Sequence, residues 1–150
     1  MRRRWRQWRA LPARERRLLA LLACMQPLIG GGLRLLGCRR TRGIIDRLTL
    51  RAQPARTATA ADLRDAERLT VLAKTAGLHG PLPSTCLRQA LAVYALLRKR
   101  GLAPQVRFGL SRTHGNADLH AWVALDTHDL DTRADQYAAL EQSPASTERT

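Results

Sequence analysis

Lysine is nearly absent: Lys74 and Lys99 are the only two among 26 basic residues, and arginine supplies the rest. A genome rich in arginine codons explains this as well as selection for bidentate guanidinium contacts, so the bias identifies no ligand. Aromatic side chains are also scarce, at 4% of the chain, which disfavours a stacking platform for single-stranded nucleic acid. The three cysteines, Cys24, Cys38 and Cys86, are odd in number, far apart and without a CxxC pair, so neither a disulfide framework nor a zinc ribbon fits. A reducing cytoplasm suits them. Acidic residues are missing from the start of the chain. Residues 1–56 hold 15 arginines against Glu15 and Asp46 alone, a net of +13, whereas residues 57–150 have a net of +1.

A long hydrophobic run is lacking too. The apolar stretch from Leu18 to Met25 is short, is approached through Glu15 and several arginines, and is broken by Gln26, Pro27 and Gly30 to Gly32. That pattern opposes export by a secretory signal, and no stable membrane insertion is expected. It predicts an amphipathic helical hairpin, Leu18–Met25 and Leu33–Leu36, packed on the domain or on a partner. Upstream, Trp5 and Trp8 lie among arginines at helical spacing and suit an acidic surface. Cytoplasmic location with peripheral membrane contact through this segment is the expectation.

What is present is enough for one folded domain. The 150 residues are 45% apolar and 25% charged, close to globular averages. Between residues 51 and 61 the composition turns to Ala, Thr, Pro and Arg, a linker or long loop. Thr59 and Asp62 then form a capping box for a helix over Ala60–Ala76, with Leu63, Ala66, Leu69, Ala73 and Ala76 on one side and Gly77 as terminator. HGPLPST forces a turn. A second helix opens at Cys86, with Leu87, Ala90, Leu91, Tyr94 and Leu97 as its apolar stripe and Gly101 as its end.

Beyond Pro104 the period drops to two. Val106, Phe108 and Leu110 mark one strand, and LHAWVALD marks another, with Leu119, Ala121, Val123 and Leu125 on one face and His120, Trp122 and Ala124 on the other. Asp126 to His128 suit a tight turn into a short third strand over Asp129–Thr132. The expected architecture is therefore α+β: a basic helical region over 1–56 that is not an independent domain, a core over 57–137, and a flexible tail over 138–150.

Cys86 sits where a helix begins, after Ser84 or Thr85 as N-cap, so unpaired N–H groups and the helix dipole favour the thiolate, the nucleophilic form. A histidine on an adjacent strand would activate it, and His120 is the candidate. An acid on the next strand would orient the imidazole, a place for which Asp126, Asp129 and Asp131 compete. A lone cysteine opening an apolar helix is more often a packed residue than a nucleophile. Cys24 and Cys38, without acid–base neighbours, read as structural. His79, His114 and His128 fall in turn-like contexts with no ligand spacing, so no metal is assigned.

These blocks carry a resemblance. CLRQALAVYALLRKRGL, then VRFGLSR, then LHAWVALD resemble the transglutaminase-like B proteins of lasso-peptide biosynthesis, the microcin-processing family, whose pattern is a cysteine opening a helix, a strand with a central glycine and a HAWVExD strand. LPARERRLLALLA, from Leu11 to Ala23, resembles the Arg-rich first helix of the family's short members. Ala124 stands where the family pattern has glutamate, so any role of that glutamate is missing here.

The resemblance implies a papain-like cysteine protease that removes the leader from a ribosomally made precursor peptide. Cys86 and His120 match its catalytic pair, and Asp131 is assigned as the acid, with Asp129 as the alternative. The short form works with a separate leader-recognition protein and an ATP-dependent lasso cyclase. It needs no cofactor, because ATP belongs to the cyclase, and no nucleic acid. The basic N-terminal third would be the docking surface for these acidic partners.

Overall fold

The computed structural model describes residues 11–49, 55–79, 84–111 and 118–140. Trp5 and Trp8, the turn at 80–83, the loop around His114 and residues 141–150 of the tail lie outside these. Among the described residues, three helices precede a small sheet: α1 (Ala13–Leu48), α2 (Ala60–His79) and α3 (Cys86–Lys99), then β1 (Pro104–Ser111), β2 (Leu119–Leu125), β3 (His128–Asp129), a 3-10 turn (Ala134–Gln136) and β4 (Tyr137–Ala139). The strands run in the order β3-β2-β1-β4, every neighbouring pair antiparallel. Helix α3 packs on β1 and β2, and α1 and α2 pack on α3 and on each other. Leu22, Leu69, Leu91, Leu97, Val93, Val106 and Leu125 are fully buried where these layers meet.

Helix α1 departs from the expected hairpin. It continues through Pro27 and Gly30–Gly32 and breaks instead at Gly37, whose φ of 76° and ψ of 172° leave the helical region. Proline and glycine inside a helix cost up to about 3 and about 1 kcal/mol respectively. Burial of Leu19, Leu22 and Ile29 along the same stretch, and a 2.9 Å hydrogen bond from Gln26 Nε2 to the Ala73 carbonyl of α2, offset that cost. The positive φ at Gly37 is open only to a residue without the steric cost of Cβ. Past it, the end of α1 is tied to α3: the Tyr94 hydroxyl donates to Asp46 Oδ1 at 2.5 Å.

The capping box of α2 forms. The Asp62 N–H reaches Thr59 Oγ1 at 3.2 Å, and Asp62 Oδ2 accepts the Thr59 N–H at 2.9 Å. Gly77 does not terminate the helix, which runs on to His79. It serves close packing instead: a Cβ there would lie 2.6 Å from Gln89 Nε2 and 2.9 Å from Ser84 Cβ at the head of α3. The third strand is His128–Asp129 rather than Asp129–Thr132, because Asp126 takes a positive φ of 53° and tightens the turn. Ala138 and Ala139, expected in the tail, instead pair with Leu110 and Gly109 as part of β4.

Candidate active site

Cys86 is the first residue of α3, capped by Thr85, whose Oγ1 accepts the Arg88 N–H at 3.5 Å. The first-turn N–H groups of a helix have no acceptor within it, so those of Cys86 and Leu87 point outward as donors. The thiol is half-buried, and its Sγ lies 3.9 Å from the Leu119 carbonyl oxygen, the residue before His120. The head of α3 and the start of β2 are thus side by side.

His120 is buried, and Nε2 lies 2.8 Å from Oδ2 of the equally buried Asp131. Lys74 of α2 donates to Oδ1 of the same carboxylate at 2.8 Å, and the Arg133 N–H donates to Oδ1 at 3.1 Å. Burial pushes the Asp131 carboxyl up. The hydrogen bonds from Lys74, His120 and the Arg133 backbone, with the Lys74 charge, outweigh burial and hold it down to about 2. An ionised Asp131 only accepts, so Nε2 carries a hydrogen, and Nδ1 of the neutral ring is left as the acceptor.

The imidazole plane is set by aromatic contacts. The Tyr137 ring stacks on it with centroids 4.6 Å apart, and the Trp122 ring stacks at 5.9 Å. Gly109, paired with His120 across the sheet, makes room for both, since a Cβ there would lie 2.8 Å from Trp122 Cη2 and from Tyr137 Cβ. His120 and Trp122, on one face of β2, are both buried, with the Tyr137 ring against the imidazole.

Cys86, His120 and Asp131 line one small cleft together with Thr70 and Lys74 of α2 and Gln89 of α3. At about 20 Å³ it holds about one water, so anything larger than that can meet these side chains only from its mouth. Asp129 is engaged elsewhere: its Oδ1 accepts from Trp122 Nε1 at 2.7 Å and from Arg107 Nη1 at 3.0 Å. Asp126 accepts the Ala58 N–H at 3.2 Å, from the segment that leads into α2. His128 is exposed on β3. Cys24 and Cys38 are exposed rather than packed, which corrects their reading as structural. Among the described residues no group of three or more His, Cys, Asp or Glu side chains could hold a metal ion.

Lys74 and Tyr137 escaped the sequence reading. Lys74 is a lone lysine inside a helical pattern, and its only signal is that lysine is otherwise so rare. Tyr137 is the last residue of the expected core, with no pattern around it to mark a strand.

A cysteine at a helix head and a histidine on an antiparallel strand share one cleft, and comparison with known families places the chain. The model of the transglutaminase-like superfamily matches residues 32–143, and the chain belongs to that superfamily. The superfamily includes cysteine peptidases and acyl transferases, and its members are typically cysteine-dependent enzymes. No curated protein and no solved structure matches the chain significantly.

Proposed function

We propose that the protein is a cysteine peptidase that removes the leader from a lasso-peptide precursor, with Cys86 as nucleophile, His120 as acid and base, and Asp131 as its orienting acid. The observation that carries this reading is the 2.8 Å His120–Asp131 contact on the same cleft as a cysteine in the first turn of a helix. Superfamily membership and the CLRQALAVYALLRKRGL and LHAWVALD blocks support it.

In the proposed cycle Cys86 passes its proton to His120 Nδ1, and the thiolate attacks the carbonyl carbon at the leader–core junction. Asp131 stabilises the imidazolium through Nε2–H. The Cys86 backbone N–H donates to the developing oxyanion, and the Gln89 amide is a second donor on the cleft. Collapse of the tetrahedral adduct breaks the C–N bond, and the imidazolium protonates the leaving amine, which becomes the N-terminus of the core. Water, deprotonated by His120, then attacks the thioester and frees the leader as a carboxylic acid while the thiol is restored.

A separate leader-recognition protein presents the leader, and an ATP-dependent cyclase consumes the new amine, all in the cytoplasm. Incubating precursor, recognition protein and this protein, and weighing the products, tests the reading. Leader acid and free core are expected, and Cys86→Ala gives neither. A cross-linked amide in place of leader acid would make the chain an acyl transferase. An intact precursor would overturn the assignment.

A further inference from the structure

From Leu18 to Leu33 the chain has sixteen residues without a charge, all inside α1. One face of this stretch is core: Leu19, Leu22, Gln26 and Ile29 are buried. The opposite face holds Leu21, Cys24, Leu28, Gly31 and Leu35, spaced three, four, three and four residues apart, which is one helical stripe about 21 Å long. Leu28 is 76% exposed and Leu35 is 85% exposed. Cys24 is exposed as well, and a Cβ on Gly31 would meet nothing within 4 Å. A helix apolar all round is normally enclosed all round, and the described residues cover this one on one side only.

We propose that this outer face of α1 seats the protein on an anionic lipid surface. Charge is the first argument. No acidic residue occurs between Glu15 and Asp46, whereas exposed Arg17, Arg34, Arg39 and Arg40 stand at the two ends of the stripe, where lipid phosphates would meet them. Hydropathy is the second. An 18-residue window of α1 reaches a mean hydropathy of 1.6, apolar enough for a membrane core, yet only 28% of it is buried.

The helix lies on the surface rather than across it, because Leu22, Ile29 and the Gln26–Ala73 hydrogen bond bind its inner face to α2 and α3. Removing those contacts would open the core. A protein helix is the weaker fit, since the stripe carries no carboxylate, amide or guanidinium to set the register of a partner. The superfamily match begins at residue 32, so most of the stripe precedes the matching domain.

Co-sedimentation of the full chain with vesicles of phosphatidylcholine alone, and of phosphatidylcholine mixed with phosphatidylglycerol, tests the proposal. The wild type pellets with the mixed vesicles and not with the neutral ones. A double variant, Leu28→Ser with Leu35→Ser, changes only exposed side chains and keeps its circular dichroism and melting profile. Its partition into mixed vesicles falls at least about tenfold. Absence of vesicle binding, or equal binding by the double variant, overturns the proposal. So does a double variant that binds vesicles normally but no longer binds the leader-recognition protein, which would make the stripe a protein interface. Cys86→Ala binds vesicles like the wild type, so the outcome is independent of the peptidase reading.

Discussion

Lys74 Nζ and Asp131 Oδ1, 57 residues apart in the chain, meet at 2.8 Å, so the middle helix reaches across the cleft to hold the carboxylate whose other oxygen faces His120. Lys74, Asp131 and His120 are thus joined through one carboxylate, and Cys86 lines the same cleft. The charged and titratable side chains lining this cleft are Lys74 from α2, Cys86 from α3, His120 from β2 and Asp131 after β3.

Lys74 acts as a positioning residue, and its removal is visible in a pH profile. Taking one positive charge from beside the site raises the pKa of every group titrating there. Lys74→Met is therefore expected to move both limbs of the kcat/KM profile to higher pH and to lower the rate near pH 6 about tenfold, equivalent to about 1.4 kcal/mol. Lys74→Arg keeps the charge and restores the limbs. A rate loss with unmoved limbs would reduce Lys74 to a packing role.

The depressed Asp131 carboxyl links folding to acid. Its folded value of about 2 lies below the ordinary 3.8, so its stabilisation is complete above about pH 4 and is lost as pH falls through about 2. The shift corresponds to roughly 2 kcal/mol. Denaturation at stepped pH should show that loss in the wild type. Asp131→Asn should lack that segment of the curve and, with His120 no longer held by an anion, lose most of its cleavage activity.

Gly109→Ala tests the aromatic layer over His120. The new methyl would meet Trp122 and the Cβ of Tyr137 at 2.8 Å, and a Cβ cannot swing away as a side-chain tip can. Overpacking of this kind costs about 1–3 kcal/mol. Urea titration should register that loss, and cleavage should fall further than stability alone explains, because the imidazole tilts. Unchanged activity would show that the rings do not orient it.

Gly77→Ala sets two effects against each other. Alanine in a helix gains up to about 1 kcal/mol over glycine. The clash with Gln89 and Ser84 pushes back on the α3 head that carries Cys86, at about 1–3 kcal/mol. The clash wins, so the melting temperature is expected to fall. A rise would mean that the α2–α3 contact is looser than described.

Much of the site's framework was legible because it is local. The capping box at Thr59 and Asp62, the Thr85 cap, the stripe of α3 and the period-two pattern of β1 and β2 each lie within a few residues of what they specify. The placement of Lys74 is decided by helix packing across 57 residues, which no local pattern encodes. Pro27 and the three glycines after it look like a break, but buried leucines outweigh them, and the break falls at the quieter Gly37. The choice between Asp129 and Asp131 is one of side-chain partners: Trp122 and Arg107 take the first, while Lys74 and His120 hold the second. Alternation alone put both on one face.

Alkylation of the three thiols by iodoacetamide, followed by peptide mass spectrometry, reads the Cys86–His120 partnership without any precursor. Near pH 6, Cys86 should react at least about tenfold faster than the exposed Cys24 and Cys38, which share no cleft with His120, and His120→Ala should bring it down to their rate. Equal reactivity of all three thiols in the wild type, or a Cys86 rate indifferent to His120, would contradict a thiol activated by this histidine.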